Sequence, residues 1–423
     1  MDLVSWFGGR VADLARRNPA RARALLLAGY RAELLAVRPP FVRRDLPPAR
    51  RYAASEATRL ILAALADPHN AALVSLFVPC EPLFAAGVTP YSLEAISGYL
   101  MGAHCEVPFQ EQAAERGVPE TLCSFHRTFL GAAESGLLPR PRMIVYTSLA
   151  CDGNMVTFPH LQQRYGAPCY FLDVPYEKTE DAVQDVARQL RGMVEFVQDV
   201  TGRPVTEEAL RAGVARSRRS GEQFQRYLAA EAERRLPGDA TGEMYAAFMS
   251  HNLLGSQAGE TFFSRLAGEI AAAPRSRARR LLWLHVIPYM QPALRTALNF
   301  SDSLFVTGCD LCYDSLLIPQ DENDPYGSMA RRLVYSGFNG SPDVRIARAR
   351  ELAAQTHADG VVLFAHWGCK STLGATQLIK TALEADGLPT LVLDGDACCP
   401  ANTGDGQLAT RMQAFLELLE ARG

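Results

Sequence analysis

No stretch of this 423-residue chain approaches the ~18–20 consecutive apolar residues of a transmembrane helix. The N-terminus, MDLVSWFGGRVADLARR, mixes apolar with basic residues, and no clean secretory apolar core follows it. Both absences point to a cytoplasmic protein. An excess of charge of one sign is lacking too. The net charge is -3, which gives no reason to expect a nucleic-acid partner. Local basic runs, Arg43-Arg44 with Arg50-Arg51 and RSRARR from Arg275, read as solvated surface. Low-complexity segments and short tandem repeats are absent. What remains is ordinary globular composition, 48% hydrophobic and 21% charged, long enough for two α/β domains.

Residues 1–70 read as an N-terminal helical region. Asn18 is placed to cap a helix that has Pro19 at its first position. Residues 71–200 read as a first α/β domain. Its strand candidates are AALVSLFVP from Ala71, MIVYTSL from Met143 and CYFLDVP from Cys169, with helical stretches between. The amphipathic run EDAVQDVARQLRGMVEFVQDVTG ends at Gly202, a C-terminal cap. Residues 201–278 read as a helical connector, with Thr206 as an N-cap. Residues 279–423 read as a second α/β domain built on LLWLHVI, SLFVTG, GVVLFAHW and TLVLDGD. Short apolar strands separated by helices argue for two doubly covered parallel sheets.

Ten cysteines are many for such a chain, and in a reducing compartment they are not expected to be disulfides. Most fall just past a strand end or just before a helix: Cys80, Cys123, Cys151, Cys309, Cys312, Cys369, Cys398 and Cys399. In open α/β sheets the carboxyl edge is where ligands bind. Thiolates converging there suit an iron–sulfur cluster or zinc. Cys309-x-x-Cys312 alone makes neither a zinc site nor a thioredoxin-like centre, lacking a second close pair and the small strand–CxxC–helix context. A Cys369 nucleophile with His366 as base is a further option. Cys105 and Cys169 read as core thiols.

Several segments resemble the 2-hydroxyacyl-CoA dehydratase and benzoyl-CoA reductase family. They are YTSLACDGN followed by YFLDVPYE, VPCEPLFAAGVTPYSLE, DPYGSMARRLV, ADGVVLFAHWGC, and the tail from GLPTLVLDGDACCPANTGDGQ onward. The similarity runs in order from about Ala72 to Leu419 and adds little before that. It implies two α/β domains around an oxygen-sensitive iron–sulfur cluster. In that family three cysteines hold one [4Fe-4S] cubane, and the matching positions here are Cys123, Cys151 and Cys369. It also implies an ATP-hydrolysing iron–sulfur activator protein that delivers low-potential electrons.

The sequence departs from that pattern by its extra cysteines. The double-cubane cluster branch uses six thiolates for two bridged [4Fe-4S] units. The first half here offers Cys80, Cys123 and Cys151. The second offers Cys369 with two of Cys309, Cys312, Cys398 and Cys399. The leading expectation is therefore an activator-driven iron–sulfur reductase with a double-cubane cluster and a small-molecule substrate, as a homodimer. One alternative is the single-cubane subunit of a dehydratase or aryl-CoA reductase, which suits a heterodimer. Another is an electron carrier without a substrate of its own. His126 and His366, beside ligand positions, are candidate proton donors or partners of backbone and cluster sulfur. Gly153, Gly308 and Gly368 would let backbone amides approach sulfur, and helices starting after these loops would aim their positive ends at the cluster. Lys370 and Arg127 are candidate local cations, while Arg295, Arg331 and Arg332 are either phosphate holders or solvated. Asp152 and Asn154 read as loop-shaping residues. Glu81, Asp310 and Asp396 carry no assigned role.

Overall fold

The computed structural model describes residues 3–38 and 46–422, so Arg43-Arg44 lies outside the described residues. It contains two four-stranded sheets, all parallel within each. The first comprises β1 (Ala71–Val74), β2 (Thr89–Ser92), β3 (Met143–Thr147) and β4 (Cys169–Leu172), in the order β2-β1-β3-β4. The second comprises β5 (Arg279–Leu284), β6 (Leu304–Cys309), β7 (Gly360–His366) and β8 (Thr390–Gly395), in the order β6-β5-β7-β8. The two halves thus repeat one connectivity. In each, the chain leaves the first strand to one side and returns to build the third on the other. Such a reversal opens a crevice at the carboxyl ends of those two strands.

The seven strands read from apolar runs are all present. The eighth, β2, has the sequence TPYS and carries a proline. It pairs only with β1, at the edge of its sheet. There a missing N–H costs no ladder bond, which is why proline is tolerated.

Local signals at the helix ends act as expected. Asn18 Oδ1 accepts from the Arg21 amide at 3.1 Å, and Thr206 Oγ1 accepts from the Ala209 amide at 3.2 Å. Gly202 ends its helix with φ +69°. Among the described residues no helix is long and apolar enough to cross a membrane.

Each face of the first sheet feeds its own core. Along β1, Leu73 points into a large core that runs through both halves, while Ala72 and Val74 point into a second one. The second core is closed by the helix Glu180–Thr201, through Val186, Leu190 and Met193. It is also closed by the helix Pro325–Val334, through Met329, Leu333 and Val334. That helix lies in sequence between β6 and β7 of the second sheet, yet it covers the first. Burying each such side chain contributes about 1.5–3 kcal/mol at most, so the crossover is a substantial tie between the halves.

Arg50 corrects the reading of its basic run as solvated. It is buried, paired with Glu243 and donating to the Gly242 carbonyl. Arg332 likewise is neither solvated nor a free phosphate holder. It makes a two-pronged pair with Glu81 at 2.7 and 2.8 Å, both side chains buried, and Ser217 Oγ donates to the same carboxylate. That pair gives Glu81 its role and holds its pKa below the ordinary value, Arg332 outweighing the cost of burial. Arg331 pairs with Asp324 and Glu180, and Arg295 is exposed.

Candidate functional site

The carboxyl ends of both sheets open onto one cavity of about 330 Å³. Its lining comes from the loops after β1 (Leu76, Phe77), β3 (Ala150, Cys151), β5 (His285, Val286), β6 (Leu311) and β7 (Gly368, Cys369). The helix beginning at Ser124 adds Cys123, Phe125 and His126. Two lining residues, Ala150 and His285, hold φ of +70° and +77° without being glycine. Such backbone persists only where surrounding contacts enforce it.

Three thiols face this space: Cys123, Cys151 and Cys369. Each comes just before a helix, at Ser124, Asn154 and Lys370 respectively. The positive helix ends therefore favour thiolate there. The Phe125 amide reaches Cys123, and the amides of Gly153 and Asn154 reach Cys151. Burial pushes the Cys151 thiol up to about 12, with Cys369 and Glu94 adding to the rise. Burial raises Cys123 well above its ordinary value, and Cys151 and Cys369 raise it further. The three sulfurs would repel one another as thiolates, so taking that form together would need a shared positive partner.

Each thiol also meets an imidazole. Cys123 Sγ lies 3.2 Å from His366 Nε2, Cys151 Sγ 3.3 Å from His126 Nε2, and Cys369 Sγ 3.5 Å from His285 Nε2. Burial lowers His126 to about 4, with His366 adding to the fall. Burial likewise lowers His366 to about 4, helped by Arg127 and opposed by Asp396. All three rings are neutral at pH 7, burial setting His285 well below its usual value.

Asp310 and Asp396 position this set. Asp310 accepts from the amides of His285 (2.6 Å) and Leu311 (2.7 Å) and from Arg345 Nε at 2.7 Å. Asp396 accepts from the amides of Cys398 and Cys399, each at 3.0 Å, and from the Ser124 hydroxyl. Arg127 is buried with its Nη2 3.9 Å from Asp396, whereas Lys370 is an exposed cavity residue. Asn154 Nδ2 donates to the Thr147 carbonyl, and Asp152 is exposed at the cavity. Gly368, at φ +79°, lets the two halves touch, since a Cβ there would stand 2.6 Å from the Cys123 nitrogen. At Gly153 a Cβ would press on the His126 ring, and Gly308 is not part of the lining.

The other cysteines do not line the cavity. Cys80 is buried in the second core and its sulfur donates to the Val78 carbonyl. Cys309 donates to the His285 carbonyl at 3.1 Å and Cys312 to the Glu243 carbonyl at 3.3 Å. Cys398 is buried beside Thr128 Oγ1 at 3.6 Å, and Cys399 is buried too. Cys105 sits in the core against the Gly8 carbonyl.

Two lining residues escaped the sequence reading. His285 was hidden inside the apolar run LLWLHVI, where its place at the strand end was the only signal. Glu94 sits one residue into the helix Leu93–Gly102, and nothing in its sequence context singled it out. Ser92 and the amides of Leu76 and Glu94 itself lie close enough to favour its charged form, while Oε2 is buried without a partner and the Ser92 hydroxyl donates to Asn252 Oδ1. Burial pushes the Glu94 carboxyl up to about 7.

Among the described residues no three His, Cys, Asp or Glu side chains close on a point that one metal ion would occupy. A cubane asks something different, since each thiolate binds its own iron. Three thiols from three loops, flanked by N–H donors and by a cavity, fit that demand.

The family model described as 2-hydroxyglutaryl-CoA dehydratase, D-component, matches residues 75–419. The (R)-phenyllactyl-CoA dehydratase alpha subunit of Clostridium sporogenes is 20% identical over 74% of this chain and 80% of its own length. The lactoyl-CoA dehydratase subunit alpha of Anaerotignum propionicum is 22% identical over 81% of this chain and 88% of its own. The (R)-2-hydroxyglutaryl-CoA dehydratase subunit alpha of Acidaminococcus fermentans is 21% identical over 67% and 61%.

Proposed function

From the premise that this chain belongs to the 2-hydroxyglutaryl-CoA dehydratase D-component family, we propose that it is the cluster-bearing subunit of an enzyme that dehydrates a 2-hydroxyacyl thioester. In this reading Cys123, Cys151 and Cys369 hold one [4Fe-4S] cubane. An ATP-hydrolysing activator protein supplies the electron, and a second chain of the same architecture completes the enzyme. The observation that carries the reading is the meeting of those three thiols, from both sheets, on one cavity.

When bound, such a cluster would supply a low-potential electron and Lewis-acidic iron. The protein's own residues do the rest. The helix ends and the amides of Phe125, Gly153 and Asn154 stabilise negative charge on sulfur. Phe125, Phe248 and Phe338 give the cavity apolar walls. The departing hydroxyl needs a proton, and Glu94 Oε2 is placed to give it. Glu94 is a lining residue whose carboxyl carries its proton up to about pH 7, and its Oε2 is buried without a partner, so a side-chain turn would bring the proton to the cavity. His126 and His366 fit that role less well, because their Nε2 atoms are engaged by sulfur.

A double-cubane reductase is the competing reading, favoured by the number of cysteines near strand ends. Against it stand Cys80, Cys309, Cys312 and Cys398, whose sulfurs are buried among carbonyls and hydroxyls away from the cavity. Anaerobic purification with iron and sulfide analysis decides. One cubane gives about four irons per chain and two give about eight. Loss of iron in Cys123→Ala, Cys151→Ala and Cys369→Ala, with none in Cys80→Ala or Cys309→Ala, is the expected result. Iron loss in the latter two restores the double cubane.

A further inference from the structure

We infer that a second cavity, behind Met244 and Phe248, takes the apolar end of the substrate whose reacting end lies among the three thiols. This rests on the reading of the thiol cavity as the reacting site. The second cavity measures about 580 Å³, within the range of small-molecule sites. The thiol cavity, at about 330 Å³, has to hold a cluster as well as the reacting group and leaves little room for a tail.

The walls select the chemistry. Tyr99, Tyr245 and Tyr289 line the second cavity, and each hydroxyl is already bonded. Tyr99 pairs with Thr58 Oγ1 (2.8 Å), Tyr245 donates to Glu33 (2.9 Å) and Tyr289 donates to the Gly98 carbonyl (2.9 Å). What they offer a ligand is ring face. Glu33 is the one carboxyl on the described lining, and the burial that raises its pKa by disfavouring its charged form would disfavour a ligand anion in the same way. The fitting occupant is a neutral alkyl or aryl group.

The cavity is closed on one side by helices that precede the family-matched residues. The helix Leu3–Arg17 is held on the core by close backbone contact, since a Cβ at Gly8 would stand 2.2 Å from the Ala103 carbonyl oxygen. Ser5 Oγ also pairs with His104 Nδ1 at 2.8 Å. The site is therefore built by this chain's own N-terminal segment. Met244 and Phe248, one turn apart on the helix Ala240–Ser250, line both cavities. Methionine is the most adaptable apolar wall a protein has.

Gly102 gives a clean test. It lines the second cavity from an exposed position at the rim, and a Cβ there meets nothing within 4 Å, so Gly102→Phe or Gly102→Leu adds apolar bulk at the mouth without touching the thiols. Calorimetric binding of 1-octanol, 1-butanol, octanoyl-CoA and butyryl-CoA would be compared in the full-length, anaerobically purified protein. Both variants are expected to weaken octanol and octanoyl-CoA by roughly tenfold, the worth of about two buried methylenes, and to leave butyryl-CoA unchanged. Unchanged octanol affinity in both variants would overturn the site. Weakened octanol with unchanged octanoyl-CoA would overturn its continuity with the thiol cavity. If neither thioester binds the wild type, the thioester reading fails by itself, and the octanol arm still decides whether the cavity binds apolar ligands. Unaltered melting of Gly102→Leu separates filling from misfolding.

Discussion

His366 donates its Nε2 proton to the sulfur of Cys123, because the Ala397 amide already occupies Nδ1. The amide donates to Nδ1 at 3.1 Å, which leaves the proton on Nε2, 3.2 Å from the sulfur. The donor is thus fixed by backbone from the loop after β8, while the acceptor belongs to the first half of the chain.

Removing that donor is expected to lower the reduction potential of a cluster held by Cys123, since the added negative charge loses a stabilising N–H. His366→Ala should shift it down by roughly 50 mV, a fraction of one charge-assisted hydrogen bond. His366→Gln, which keeps an N–H, should shift it less. Redox titration followed by electron paramagnetic resonance reads both. Equal potentials in all three proteins would show that the contact does not tune the cluster.

Glu94 makes a prediction with a definite sign. Its folded value of about 7 stands against an ordinary 4.5. The folded carboxyl keeps a proton that the unfolded chain has released, so the contribution to stability is full below 4.5 and is lost as pH rises through about 7. The loss amounts to about 3 kcal/mol. Relative to wild type, the Glu94→Gln protein should therefore gain about that much between pH 4.5 and 8 in urea unfolding of the metal-free form. In turnover the same substitution should cost roughly 10²-fold or more in kcat and remove the fall in rate above pH 7.

Arg332→Met should destabilise the fold by about 3–5 kcal/mol, because it leaves the Glu81 carboxylate buried and unpaired. Glu81→Gln combined with Arg332→Met should recover much of that loss. Denaturant unfolding of the three variants measures the coupling. If the double variant is no more stable than Arg332→Met, lost packing rather than stranded charge is the cause.

Gly368→Ala should separate the two loops that bring Cys369 to Cys123. Left-handed backbone costs a non-glycine residue about 1–2 kcal/mol, and the clash with the Cys123 backbone adds to it. Iron content should fall together with melting temperature. A variant that melts lower yet keeps full iron would show that the loops can part without losing the site.

Most of the fold could be read from the sequence, because buried parallel strands are apolar runs of the right length. β2 could not, since TPYS at a sheet edge carries no such run. The three thiols facing the cavity were found through strand ends and family resemblance. Cys80, Cys309 and Cys398 shared the same signal but not the same outcome. A strand end locates a residue to within a few positions, whereas backbone geometry decides whether its sulfur looks into the cavity or the core. The Glu81–Arg332 pair joins residues 251 positions apart, a distance no local pattern spans. His285 faces the cavity through a positive φ that an apolar context gives no reason to expect.

The helix Pro325–Val334 has a consequence for how the molecule is made. One face of the first sheet waits for side chains that the ribosome delivers only after the first two strands of the second sheet. Until residue 334 is free of the exit tunnel, Val74, Val145 and Leu190 have an incomplete cover. The first unit cannot finish until part of the second has been made, and Cys369, which follows β7, reaches Cys123 and Cys151 only later still.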